Sequence, residues 1–194
     1  MEMLPLAFTS GWASGLNAYA TVLVLGLLGR FLGVDQVPAG LERTDVLVVA
    51  GVLALVEFFA DKIPYVDSLW DAVSTVVRPV AGAAIGALMA GAQGDVWTVT
   101  LASVGGLTAL VSHLVKASLR LAVNTSPEPA SNIAVSLGED TAAVGLTSLA
   151  LLFPVPAAVV AGVLLLVGVV VAVLLVRRTR RGWQALQRWR DARR

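Results

Sequence analysis

Four carboxylates and a lysine are crowded into Glu57-Phe-Phe-Ala-Asp61-Lys62-Ile-Pro64-Tyr65-Val-Asp67-Ser68-Leu-Trp70-Asp71. Glu57 and Asp61 lie four apart and so share a helical face, and Asp67 and Asp71 repeat that spacing. Side chains of these types can carry protons, hold a cation or pair with bases. Asp67 and Asp71 would also suit the N-terminal dipole of a following helix, with Asp67-Ser68 as a cap, so interfacial capping accounts for them equally well. Glu57 is different, because it follows eleven uncharged residues. An acid in such a run faces a bundle interior or an aqueous cavity.

A second polar set follows. His113, Lys116 and Arg120 stand at i, i+3 and i+7, one basic stripe that is expected to face the acidic one. The alternative for Lys116 and Arg120 is snorkelling to the headgroups from a helix end. Asn124-Thr125-Ser126-Pro127-Glu128-Pro129 must be irregular, since two prolines remove donors and bias their predecessors away from helix. Glu139-Asp140 comes next. In the first apolar stretch Ser10, Ser14 and Asn17 share a face, suited to interhelical hydrogen bonds or to a cavity wall. The residues expected to line a substrate or ion pathway are Asn17, Glu57, Asp61, Lys62, Asp67, Asp71, Lys116, Arg120, Asn124, Ser126, Glu128, Glu139 and Asp140.

The elements that must hold these residues are membrane helices. Val155–Val176 is 22 residues without a charge, enough to cross a hydrocarbon core of roughly 30 Å. It runs into Arg177-Arg178-Thr179-Arg180-Arg181, the usual mark of the cytoplasmic side. The chain is 57% hydrophobic and 14% charged, with mean hydropathy +0.83, so 194 residues divide into spans and short connections. Residues 177–194 hold eight Arg and one Asp, while the rest of the chain holds six basic and twelve acidic groups.

Apolar runs predict an all-α polytopic bundle of about six segments: Leu6–Leu32, Asp45–Ala60, Val73–Ala92, Val96–Val123, Thr141–Phe153 and Pro154–Val176. The second and fifth are short for a crossing and adjoin the two proline-containing polar turns. Six spans with an inner tail place both termini in the cytoplasm, in a multi-pass protein of the cytoplasmic membrane. Gly11 and Gly15, like Gly82 and Gly86, give small-xxx-small spacing for close helix contact. A shift of 63 residues superposes Pro64 on Pro127, Ser68 on Ser131 and Gly82 on Gly145, suggesting a repeated hairpin.

Residues 1–176 thus read as one transmembrane domain and 177–194 as a basic tail. There Trp183, Leu186 and Trp189 form one face of an interfacial helix, and Arg177, Arg178, Arg180 and Arg181 meet anionic lipid headgroups. Membrane lipids are the expected partners, with self-association as a second option and nucleic acid not expected. Cysteine is absent, which excludes disulfides and thiolate chemistry. No zinc-binding His pair, Walker-type loop or nucleophile elbow is present, so neither metal, cofactor nor enzyme activity is expected. An acid–base reaction at Glu57, Asp61 and Lys62 is the remaining catalytic route.

Phe8-Thr9-Ser10-Gly11-Trp12-Ala13-Ser14-Gly15-Leu16-Asn17-Ala18-Tyr19, the acidic stretch from Glu57 to Asp71 and Asn124-Thr125-Ser126-Pro127-Glu128-Pro129 together resemble a bacterial membrane family, domain of unknown function 4126. The resemblance covers nearly all of the chain up to the tail, with Asp61-Lys62-Ile63-Pro64 its most specific part. It implies a membrane protein and points to the same polar segments, without implying an activity. The expected function is a transporter or permeation pathway for a small solute, ion or lipid-linked group. The alternative is a non-catalytic scaffold or an assembly or regulatory protein.

Overall fold

The computed structural model describes residues 2–63, 65–124 and 129–191, with side chains omitted at 129, 179, 181–186 and 189–191. Among the described residues all regular structure is helical: α1 (Met3–Leu16), α2 (Ala18–Leu32), α3 (Thr44–Ala60), α4 (Val66–Ala90), α5 (Asp95–Val123), α6 (Pro129–Leu152) and α7 (Pro154–Asp191). Four of them, α4 to α7, are long and apolar enough to cross a membrane. The chain is a membrane protein, and the exposed valines and leucines of its outer helices are its lipid-facing surface.

The expected single span Leu6–Leu32 is two helices. Asn17 adopts an extended conformation (φ −151°, ψ 99°), and its side chain accepts from the Ala20 amide at 2.8 Å. Asparagine therefore stops α1 and caps α2. The two halves form a hairpin rather than a kinked rod. Glu2, Met3 and Leu6 line one cavity with the α2–α3 connection (Asp35–Ala39) and the α4–α5 connection (Leu88–Gln93), so both ends of the hairpin lie at one end of the bundle. Its apex reaches inward. Helix α1 spans only about 21 Å at 1.5 Å per residue, and is buried almost throughout from Leu6 to Leu16.

Around this hairpin α3, α5 and α7 run away from that end, and α4 and α6 run back. Glycine sets the spacing. A Cβ on Gly11 or on Gly82 would collide with the backbone of Gly105, and one on Gly86 with the Leu101 carbonyl. Helices α1 and α4 thus both rest on α5, as the small-residue spacing predicted. An apolar core of Leu6, Leu25, Ile85, Met89, Leu101 and Leu151 closes the end where the chain begins.

Three expectations change. The segment predicted as Thr141–Phe153 is the second half of the 24-residue α6, and α4 begins seven residues before the expected Val73. Helix α7 continues without a break through the basic tail to Asp191, so residues 179–191 extend the same helix past the candidate span Pro154–Arg178. Arg177 and Arg180 lie beside Ser118 near the end of α5, whereas Met3 lines a cavity with the α4–α5 connection. The shift of 63 that aligns the prolines also aligns helix boundaries: α3 ends at Ala60 and α5 at Val123, while α4 starts at Val66 and α6 at Pro129.

Candidate functional site

The half of the bundle away from Met3 is held together by charge. Glu57 stands in the last turn of α3, and its Oε1 accepts from Arg78 Nη2 of α4 at 2.5 Å. Arg78 Nη1 donates to Asp71 Oδ1, one face below on the same helix, at 3.0 Å. Both acids and the guanidinium are buried, Arg78 to 1% exposure and Glu57 to 0%. Next to them Asp61, the C-cap of α3, accepts through Oδ2 from Lys116 Nζ at 2.6 Å and from Arg120 Nη2 at 3.1 Å. Glu139 of α6 takes Arg120 Nη2 at 2.6 Å and has Lys116 Nζ 3.6 Å away. Asp67 lies 3.7 Å from Arg120 and accepts from Ser68 and from Asn124 Nδ2 (2.8 Å). Four helices share a network of two adjacent ion-pair groups, one on Arg78 and one on Lys116 and Arg120.

The hairpin apex joins it. The last carbonyls of α1 have no partner within that helix and carry the negative end of its dipole. Lys116 Nζ donates to Leu16 O at 2.8 Å and Arg78 Nη1 to Gly15 O at 3.4 Å, so two buried cations cap the helix end. Ser14 Oγ returns a hydrogen bond to Arg78 O at 3.1 Å, and Ser112 Oγ donates to Trp12 O at 2.8 Å. Asn17 Nδ2 reaches Asp140 Oδ1 at 3.1 Å, and Asp140 also pairs with Lys62 at 3.5 Å. Lys62 is fixed further by Phe58 O (2.9 Å) and by the Phe58 ring, whose centroid is 3.1 Å from Nζ.

His113 is held in one state by its neighbours. Arginine can only donate, so His113 Nδ1 accepts from Arg78 at 2.7 Å. The proton must then be on Nε2, which donates to Thr75 Oγ1 at 3.0 Å while Thr75 donates to Asp71 O. His113 is thus a neutral link and contributes no charge.

Most residues expected from sequence meet here: Asn17, Glu57, Asp61, Lys62, Asp67, Asp71, Lys116, Arg120, Asn124, Glu139 and Asp140. Snorkelling is excluded for Lys116 and Arg120, which are 1% exposed. Capping does not describe Asp71, which sits in the second turn of α4 and binds Arg78. Ser126 and Glu128, with most of the second proline turn, lie outside the described residues, as does Pro64. Arg177, Arg178 and Arg180 are exposed and separate from the network. The side chains of Trp183, Trp189 and Arg181 lie outside the described ones. Sequence reasoning missed Arg78 and Asn132, whose Oδ1 accepts from Arg120 at 3.1 Å. Arg78 stands seven residues after Asp71, two helical turns along one face, a spacing that permits their contact without singling it out.

Among the described residues no group of three or more carboxylates and histidines is arranged to hold a metal. The arrangement can instead store charge, exchange protons, or present fixed dipoles at the apex of a broken helix.

Residues 4–174 match a family model described as domain of unknown function (DUF4126). No curated protein and no solved structure matches the chain.

Proposed function

The chain belongs to the domain of unknown function 4126 family, and we propose that it is a transport protein whose translocation core is the α1–α2 apex against the ionic network. One observation carries this reading: a helix broken inside the bundle aims its terminal carbonyls, Gly15 O and Leu16 O, at buried charges from neighbouring helices. Discontinuous helices and hairpin repeats meeting at mid-depth are a recurring plan of secondary transporters. The aligned boundaries of α3–α4 and α5–α6 support reading these hairpins as such a repeat. A groove of about 300 Å³ between α1, α5, α6 and α7 leads to Lys116 and Glu139 and supports a route for a small solute, ion or lipid-linked group.

The basic end of α7 belongs on the cytoplasmic side of the plasma membrane by the positive-inside rule. Anionic lipid headgroups are then its partners at Arg177 and Arg180, which close an apolar groove of about 440 Å³ between α5 and α7. A scaffold without transport is the second reading. It is favoured by the near-complete internal pairing of Lys116, whose ammonium already meets Leu16 O, Asp61 and Glu139.

Proteoliposomes with and without anionic lipid test the choice. Flux of protons, monovalent cations or small metabolites is expected with the wild type and lost in Glu57→Gln. Absence of flux for every solute, with the protein folded, would leave the scaffold reading.

A further inference from the structure

The charges of the network do not balance. Among the described residues five carboxylates are salt-bridged to three cations, Glu57 and Asp71 to Arg78, and Asp61, Asp67 and Glu139 to Lys116 and Arg120. The neighbouring Lys62–Asp140 pair is neutral. His113 adds nothing, since its Nδ1 is occupied by Arg78. Two negative charges therefore lack a counter-charge among the described residues, in a buried site where an uncompensated ion costs several kcal/mol.

The shortfall can be located. Asp61 and Glu139 share two cations, Lys116 and Arg120. Asp67 is surrounded by donors, namely the Ser68 amide and hydroxyl and Asn124 Nδ2, in addition to Arg120 at 3.7 Å. Among the described residues Glu57 and Asp71 are salt-bridged to Arg78 alone, with Lys116 acting on them at longer range. Glu57, moreover, is paired through one oxygen. Its Oε2 is buried without a partner, in a side chain of 0% exposure, and Arg78 Nε on the other side of that salt bridge is also unpartnered; Asp61 Oδ1 and Glu139 Oε1 are unpartnered too, but those two acids have two cations on their other oxygens. A carboxylate opposite arginine ordinarily uses both oxygens. A free, buried carboxyl oxygen beside a missing positive charge is what a neutral carboxylic acid leaves.

We propose that Glu57 and Asp71 bind one exchangeable proton between them across Arg78, and that this proton is the coupling ion of the transport core. Two carboxylates on one cation cannot both ionise without cost, so the proton belongs to the pair, with Oε2 of Glu57 as its seat. A metal ion is disfavoured there because Arg78 already occupies the space between the acids. The charged and titratable groups facing the pair are Asp61 at the C-cap of α3, Arg78 on α4, His113, Lys116 and Arg120 on α5, and Tyr19 on α2. Removal of the proton leaves two anions on Arg78 and pulls it from Gly15 O, so the protonation state reaches the hairpin apex through one side chain. Binding and release move a proton between water and the carboxyl oxygen, with no other bond changed.

This inference rests on the transport reading, yet it can fail separately. Infrared difference spectra of the protein in lipid nanodiscs would be recorded through neutral pH in H2O and D2O. A protonated-carboxyl C=O band that shifts in D2O and fades at high pH is expected in the wild type. It should be lost in Glu57→Gln, and Asp71→Asn should shift the pH at which it fades. If the wild type has no such band near neutral pH, or if the band survives unchanged in both variants, the shared proton is wrong even if flux is observed. A band that appears only when sodium or potassium is withheld would assign the missing charge to a metal cation and overturn the proposal equally.

Discussion

Arg78 shows how a single buried charge organises its surroundings. It contacts α3 through Glu57, its own helix through Asp71, α5 through His113 and the hairpin through Gly15 O. Removing one member of a buried pair leaves the other desolvated and unmatched, which costs about 3–5 kcal/mol. Arg78→Met is therefore expected to lower stability by that amount in detergent unfolding. Adding Glu57→Gln should recover part of the loss, because the stranded carboxylate is removed with it. Strictly additive effects of the two substitutions would mean that the salt bridge contributes nothing. At this scale the acids and the stripe Lys116–Arg120 were legible, since charges at helical spacing inside apolar runs must meet opposite charges to stay buried. Arg78 was not, because a lone arginine before Pro79 looks the same in a loop as in a bundle. Only its partners from three other elements distinguish the two.

Among the elements, the outer helices follow from apolar length, and the contacts of α5 follow from glycine spacing. Gly86 faces the Leu101 carbonyl with no room for a methyl group, whereas a methyl on Gly138 would point into open space. Gly86→Ala is expected to destabilise the bundle by about 1–3 kcal/mol through overpacking. Gly138→Ala in α6 should be neutral or stabilising by about 0.5–1 kcal/mol, the helical preference of alanine over glycine. Equal melting temperatures for the two variants would show that α4 and α5 are not in backbone contact. The break at Asn17 was hidden from hydropathy because both flanks are apolar, so the window from Leu6 to Leu32 runs through it. Its signature is local: a residue that prefers N-caps standing alone in the middle of an apolar run. The start of α6 was hidden for the opposite reason. Asn132, Ser136, Glu139 and Asp140 make its first half look like a loop, yet those polar groups are turned inward to the network.

For the whole molecule, the hairpin changes the arithmetic of crossings. Helix α1 at about 21 Å is too short for a hydrocarbon core of roughly 30 Å, and the chain returns through α2 to the end it came from. A turn at that depth is tolerable only where its backbone groups find partners. Lys116 supplies one to Leu16 O, Arg78 one to Gly15 O, and the Asn17 side chain takes the Ala20 amide. The ionic network is thus the solvent of the apex as well as the candidate site. Four helices, α4 to α7, are long and apolar enough to cross; a crossing by α3 as well is the expectation under test, and it puts residue 2 on the side opposite residue 178. Single cysteines in this cysteine-free chain decide it with an impermeant reagent. Glu2→Cys and Gln93→Cys are expected to label from one side of intact vesicles and Arg178→Cys from the other. Labelling of Glu2→Cys together with Arg178→Cys would require α1 and α2 to cross as one rod, and would remove the re-entrant apex on which the transport reading depends.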